Sequence, residues 1–247
     1  MTIKADSPFT PADSSRSSKS LKDQNRWQLW VILATNTMFL YGVIQANAIK
    51  IDGVRSLFTD SKNLIPAGLA LVLTTVINGV LGVQMKNRIV FLRWHHALPG
   101  HRAFSVYALA DPRINDTELQ KLCGGALPVR PSEQNKTWYQ IYRSVENDHA
   151  VRQVHRDYLL LRDYAGIGAL LVVCFGVIGL CTIHSTGLGF FYLLLLVIQY
   201  ALVRQAASNY GIEFVTTVLA RKCGWTKPGT TRRRKPESST TVESSKL

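Results

Sequence analysis

Residues 165–203 read AGIGALLVVCFGVIGLCTIHSTGLGFFYLLLLVIQYALV and contain no Asp, Glu, Lys or Arg. Only His184, Ser185 and Thr186 separate its two apolar runs. The stretch therefore predicts two apolar helices folded on a tight turn, with Gly187 and Gly189 free to take unusual backbone angles. A helix needs about 20 apolar residues to cross a ~30 Å hydrocarbon layer. Residues 165–183 have that length, and residues 187–203 sit at its short limit.

Two further charge-free stretches, 27–49 and 64–85, precede this one. Four helices apolar on every face could not be hidden inside a soluble domain of 247 residues. The expected fold is therefore an all-α integral membrane protein, with four transmembrane helices in two hairpins and a helical cytoplasmic loop. Expected divisions are a disordered leader 1–26, a first hairpin 27–85, the loop 86–164 and a second hairpin 165–203. An amphipathic helix 204–227, either extending the fourth span or lying on the headgroups, and a basic, Ser/Thr-rich tail 228–247 follow. The first apolar stretch begins behind a polar leader and lacks a small-residue cleavage site, so it is expected to remain as a span.

The basic residues set the orientation. Five precede Trp27, twelve lie in 86–164 and nine follow Val203, against three in 50–63 and none in 184–186. Lys and Arg near span ends stay on the cytoplasmic side, which puts both termini and the large loop inside. The net charge of +13 invites a nucleic-acid reading, but positive-inside bias and anionic lipid headgroups account for it more simply. Cys174 and Cys181 lie in the third span and Cys123 and Cys223 on the reducing side, so no disulfide framework is expected.

Within the loop, Asp116 is a candidate cap for a short helix stopped by Gly124 and Gly125, and Pro128 and Pro131 then break the chain. Ser132 is the candidate cap of a helix carrying Trp138, Ile141, Tyr142 and Val145. Asp148 is the candidate cap of one running through Val151, Val154, Tyr158 and Leu161 directly into the third span. Such a helix would join the loop rigidly to the membrane.

Polar side chains inside spans form the first candidate site, because an unpartnered amide in lipid costs several kcal/mol. Asn36 and Asn47 share a face of the first span, and Thr74, Asn78 and Gly82 form a stripe on the second. Gln199 lies in the fourth. These residues line either a pore or oligomer axis, or a helix interface in which Gly79 or Gly82 permits close approach. No acidic residue falls inside a predicted span, which argues against a carboxylate relay.

A second candidate site follows the second span: Arg88, Arg93 and Arg102 surround Trp94, His95, His96 and His101. A basic, aromatic cluster at a membrane face suits an anionic ligand such as a lipid headgroup or a nucleotide. With Asp111, the histidines could also supply metal ligands or acid/base groups, although their spacing matches no metal motif. No nucleophile elbow, phosphate-binding loop or dinucleotide fingerprint occurs, and neither catalytic residues nor a cofactor or metal are assigned. The sequons at Asn115 and Asn135 fall in a cytoplasmic loop and are chance matches.

Four segments, FLRWHHALPGHRAFSVYALADPRI (91–114), EQNKTWYQIYRSV (133–145), VHRDYLLLRDY (154–164) and NYGIEFVTTVLA (209–220), resemble a group of uncharacterised bacterial membrane proteins. The resemblance implies a four-span inner-membrane protein and no established activity. By architecture alone, it parallels small bacterial membrane proteins in which a cytosolic nucleotide opens a pore. The expected function is a non-enzymatic, oligomeric membrane protein whose loop binds a cytosolic protein or an anionic, nucleotide-like ligand and gates or signals through the bundle. The alternatives are a membrane anchor recruiting a protein through Trp138, Tyr139 and Tyr142, and a metalloenzyme at the membrane surface.

Overall fold

The computed structural model describes residues 26–45, 64–183 and 185–223, and every element among them is helical. The leader, the tail, Asn47 and the first hairpin's connection lie outside the described residues. Helix α1 spans Arg26–Ile44, α2 Leu64–Val80 and α3 Val83–Phe91. An irregular helical segment covers 99–110. Then come α4 (Asp116–Leu122), α5 (Pro131–Val145), α6 (His149–Thr182) and α7 (Thr186–Cys223).

Three helices are long and apolar enough to cross a membrane: α1, α6 and α7. The fourth expected span is not one straight rod. The chain bends by 106° between α2 and α3, so the pair counts as a span only if the break is included. At 1.5 Å per residue α2 is about 25 Å long, short of the ~30 Å layer. Helix α3 then turns aside, carrying Lys86 and Arg88 where a straight span would have continued.

Helices α6 and α7 have 34 and 38 residues, about 51 and 57 Å, so each extends well past a bilayer's apolar core. Asp148 caps α6, its carboxylate accepting from the backbone N–H groups of Ala150 (2.9 Å) and Val151 (3.3 Å). The helix continues through a π turn at Leu171–Phe175 without a break in chain direction. The expected joining of loop and span is therefore present. Residues 204–223, expected as an amphipathic helix, are the uninterrupted end of α7.

Two cores result. In the bundle, Leu33, Leu40, Ala70, Leu171, Phe175 and Tyr192 pack together. In the loop body, Val90, Phe104, Leu119, Trp138, Val151 and Phe214 form a separate core against the far half of α7. Burying each large side chain of this kind stabilises by about 1.5–3 kcal/mol. The bundle's outer face is apolar as well: Met38, Val76, Val80, Phe190 and Leu202 are all exposed. A water-facing surface would not carry so continuous an apolar patch.

The close-approach glycines are not those expected. A Cβ at Gly79 or Gly82 would meet nothing within 4 Å. At Gly176 it would lie 2.7 Å from Leu193 Cδ1, and at Gly179 2.9 Å from Tyr192 Cδ1. The tight seam therefore joins α6 to α7.

Loop caps shift by a residue or two. Asn115, not Asp116, caps α4, accepting from the backbone of Thr117 and Glu118. Arg130 occupies the cap position of α5 with Pro131 in its first turn, so Ser132 does not cap. Gly124 and Gly125 end α4 at positive φ, as expected.

Candidate functional site

Helix α3 lies between two concave sites. One face of it carries Lys86 into a cavity of about 410 Å³ that also includes Trp30, Leu33, Thr74, Asn78 and Asp163. Lys86 Nζ lies 3.5 Å from Asp163 Oδ1, and Arg162 NH2 donates to the same oxygen at 2.9 Å. All three side chains are nearly inaccessible. A buried carboxylate thus sits where the apolar bundle meets the loop body, just outside the charge-free stretch 165–203.

The polar stripes divide. Thr74 and Asn78 both line this cavity, with Thr74 fully buried, while Gly82 sits at the corner before α3. Asn36 is buried but donates to the carbonyl of Ile32 in its own helix at 2.9 Å. Gln199 donates to Tyr164 Oη at 2.9 Å, which joins α7 to α6 and is interface bonding.

The other face of α3 contributes Arg88 to a cleft of about 270 Å³ with Trp94, His95, His96 and His101. The Arg88 guanidinium stands 5.0 Å from the Trp94 ring centroid, a cation–π distance. The rings of His96 and His101 meet edge to face at 5.1 Å. His101 Nδ1 is buried without a hydrogen-bond partner. Five of the seven expected ligand residues therefore converge. Arg93 instead stands 6.0 Å from the Phe91 ring, and Arg102 is exposed away from the cleft.

Burial, with His96 beside it, holds the His101 imidazole below its ordinary pKa. The ring is therefore neutral near pH 7, and Arg88 supplies the cleft's permanent charge. Leu92 and His96 take left-handed φ values of 49° and 50°. Such conformations cost on the order of 1–3 kcal/mol each and are retained where they aim side chains. Here they reverse the chain so that Trp94 covers Arg88.

A third concavity of about 470 Å³ lies between α5 and α6, with Tyr139, Tyr142, His155 and Phe214 on its walls. His155 stacks on Phe214 at 4.5 Å between centroids, and its Nδ1 lies 3.2 Å from Tyr142 Oη. Burial pushes His155 down to about 4. Trp138, expected as an interface anchor, is 6% exposed, and its indole N–H reaches Val215 O at 3.4 Å. It is a core residue, and only Tyr139 of the three aromatics is exposed.

The most distinctive loop motifs are folding devices. Gln134 Oε1 accepts from the backbone N–H groups of Phe104 and Ser105 and from Ser105 Oγ, each at 3.2 Å. A Cβ on Gly100 would run into Asn135 and Trp138. Asp111 binds Arg113 at 2.6 Å, and Arg113 donates to Thr216 Oγ1 on α7 at 3.1 Å. The guanidinium holds the Asp111 carboxyl down to about 2. Asp111 is thus engaged in an ion pair rather than free to complete a histidine site. Among the described residues, no three His, Cys, Asp or Glu side chains gather as metal ligands would.

No family model, curated protein or solved structure matches the chain.

Proposed function

We propose that this is a four-span, oligomeric membrane protein of a bacterial inner membrane, with both termini and the loop body cytoplasmic, in which α3 transmits ligand binding to the bundle. The observation that carries the reading is the placement of two cations two residues apart on one nine-residue helix. Lys86 reaches the bundle cavity, and Arg88 reaches the basic cleft. In this reading an anionic ligand that draws Arg88 off Trp94 pulls on α3, which also carries the Lys86 end of the buried ion pair.

Helix α3 is held from both long helices. Tyr158 Oη on α6 donates to Asn87 Oδ1 at 2.5 Å, and Tyr200 Oη on α7 donates to Ile89 O at 3.1 Å. A short helix held at these points and bent away from α2 is placed where it could couple the two sites by shifting between positions. Phosphate-bearing cytosolic ligands such as nucleotides suit the cleft because one permanent guanidinium stands beside an aromatic face.

Two measurements test the reading. Reporter fusions at Leu57 and Ser132 are expected on opposite sides of the membrane; the same side for both contradicts the topology. Proteoliposomes of the full chain are expected to leak a small dye when nucleoside triphosphates or polyphosphate are added, and Arg88→Ala should abolish the response. Tight vesicles under every such addition and under an applied potential contradict gating.

A further inference from the structure

Polar side chains in the bundle commonly bond within their own helix. Thr35, Thr37, Thr75 and Thr182 each donate a hydroxyl to the carbonyl four residues earlier at 2.7–2.9 Å, and Asn36 does the same with its amide. Thr74 and Asn78 do not. Thr74 is fully buried, and among the described residues neither its Oγ1 nor the buried Oδ1 of Asn78, one turn on, has a hydrogen-bond partner. Both residues line the same cavity of about 410 Å³. A buried acceptor left unsatisfied forfeits about 1–3 kcal/mol, so two of them on one space mark where an outside donor belongs.

The chemistry of that donor follows from the rest of the lining. Charge is not what the space lacks, because Lys86 and Arg162 both contact the Asp163 carboxylate and the charged groups at this end are engaged. Leu29, Trp30, Leu33 and Ile167 make another part of the lining apolar. Water alone suits such a space poorly, since a buried water needs about 2–4 polar partners and the apolar part offers none. An occupant that fits the whole lining is neutral, carries two hydroxyls a few bonds apart, and continues into a hydrocarbon chain.

We infer that the cavity between α1, α2 and α6 binds a neutral acylglycerol through the free hydroxyls of its glycerol end. One hydroxyl donates to Asn78 Oδ1 and its neighbour to Thr74 Oγ1, while the acyl chain lies along Trp30 and Leu33. A glycerol unit with the first carbons of its chain is within the size of the cavity. The inference rests on the bundle lying in lipid, which the reporter fusions at Leu57 and Ser132 read separately, and not on gating or on the basic cleft.

The test uses the full chain in an amine oxide detergent, which brings no hydroxyl of its own, titrated separately with monooleoylglycerol, methyl oleate and glycerol. Native mass spectrometry counts the retained molecules, and the unfolding midpoint is recorded. Monooleoylglycerol is expected to be retained and to raise the midpoint by several degrees. Methyl oleate has the chain without the hydroxyls and glycerol the hydroxyls without the chain, so each should have little effect. The double variant Thr74→Val, Asn78→Leu keeps the side-chain volumes close to native without the polar atoms, and should weaken monooleoylglycerol binding about tenfold or more. Thr35→Val, which removes a hydroxyl already bonded within α1, should leave it unchanged. The comparison of ligands on the unaltered chain stands whether or not the double variant folds. Equal retention of monooleoylglycerol and methyl oleate, or an unaltered affinity in the double variant, overturns the proposal. Retention of none of the three by the unaltered chain leaves the cavity to water and overturns it too. Stabilisation by glycerol equal to that by monooleoylglycerol assigns the site to a free polyol and overturns the lipid occupant.

Discussion

Lys86 on α3 and Asp163 on α6 form an ion pair at 3.5 Å with both side chains almost entirely shielded, where the apolar bundle meets the loop body. The lysine stem packs over Gly166, one turn further along α6, where a Cβ would lie 3.4 Å from Lys86 Cγ, an ordinary contact.

Removing one partner of a buried pair is far more damaging than the pair is stabilising, because a desolvated charge is left behind. Asp163→Asn removes the buried carboxylate that both Lys86 and Arg162 contact, and is expected to destabilise by about 3–5 kcal/mol, on the order of 10 °C in the unfolding midpoint. Lys86→Met leaves Arg162 still paired with Asp163 and should cost clearly less. Thermal unfolding of both variants in detergent checks the order; equal losses, or a larger loss for Lys86→Met, contradict the shared carboxylate.

These residues were only partly legible in the sequence. The absence of charge over 27–49 and 165–203 identified apolar helices directly, and the Asp148 cap marked the start of α6, since both signals are local. The corner at Leu81 and Gly82 was not legible, because apolar residues run through it to Met85 and a lone glycine does not specify a bend. Nor was the Lys86–Asp163 pair, whose members sit at opposite ends of the loop and meet only through packing. Nor does position reveal the local bonding of Asn36, a candidate for either a pore or a helix interface, whose side-chain amide donates to the carbonyl of Ile32 on its own helix.

His155 makes the loop body acid-sensitive. The folded protein pushes its imidazole down to about 4, whereas the unfolded chain takes up that proton near 6.5. Between these values the unfolded state binds more protons, so this residue's stabilisation is complete above about pH 6.5 and declines as the pH falls toward 4. His155→Phe keeps a ring against Phe214 and should flatten that part of the profile. Parallel slopes for the two proteins between pH 6.5 and 4, measured by unfolding midpoint, would exclude the buried neutral histidine.

The Asp111–Arg113–Thr216 contacts staple the loop to the far half of α7, and the N–H of Asn115 adds a bond to Cys223 O at 2.9 Å. Asp111→Ala is expected to cost about 1–2 kcal/mol, the value of a partly exposed charge-assisted pair. Its sharper signature is local: the buried Cys223 thiol should react with a maleimide several times faster. An unchanged alkylation rate would mean that the motif does not hold this part of the loop down.

The coupling through α3 is tested most directly by reading the cavity while perturbing only the cleft. Asn78→Cys in a background lacking the native cysteines places a reporter thiol on the cavity wall, and its labelling rate in membranes can be compared with and without Arg88→Ala. Loss of the Arg88–Trp94 contact should change that rate severalfold, whereas Lys136→Ala on the exposed face of α5 should not. Identical labelling in the presence and absence of Arg88 would contradict a mechanical link between the two sites.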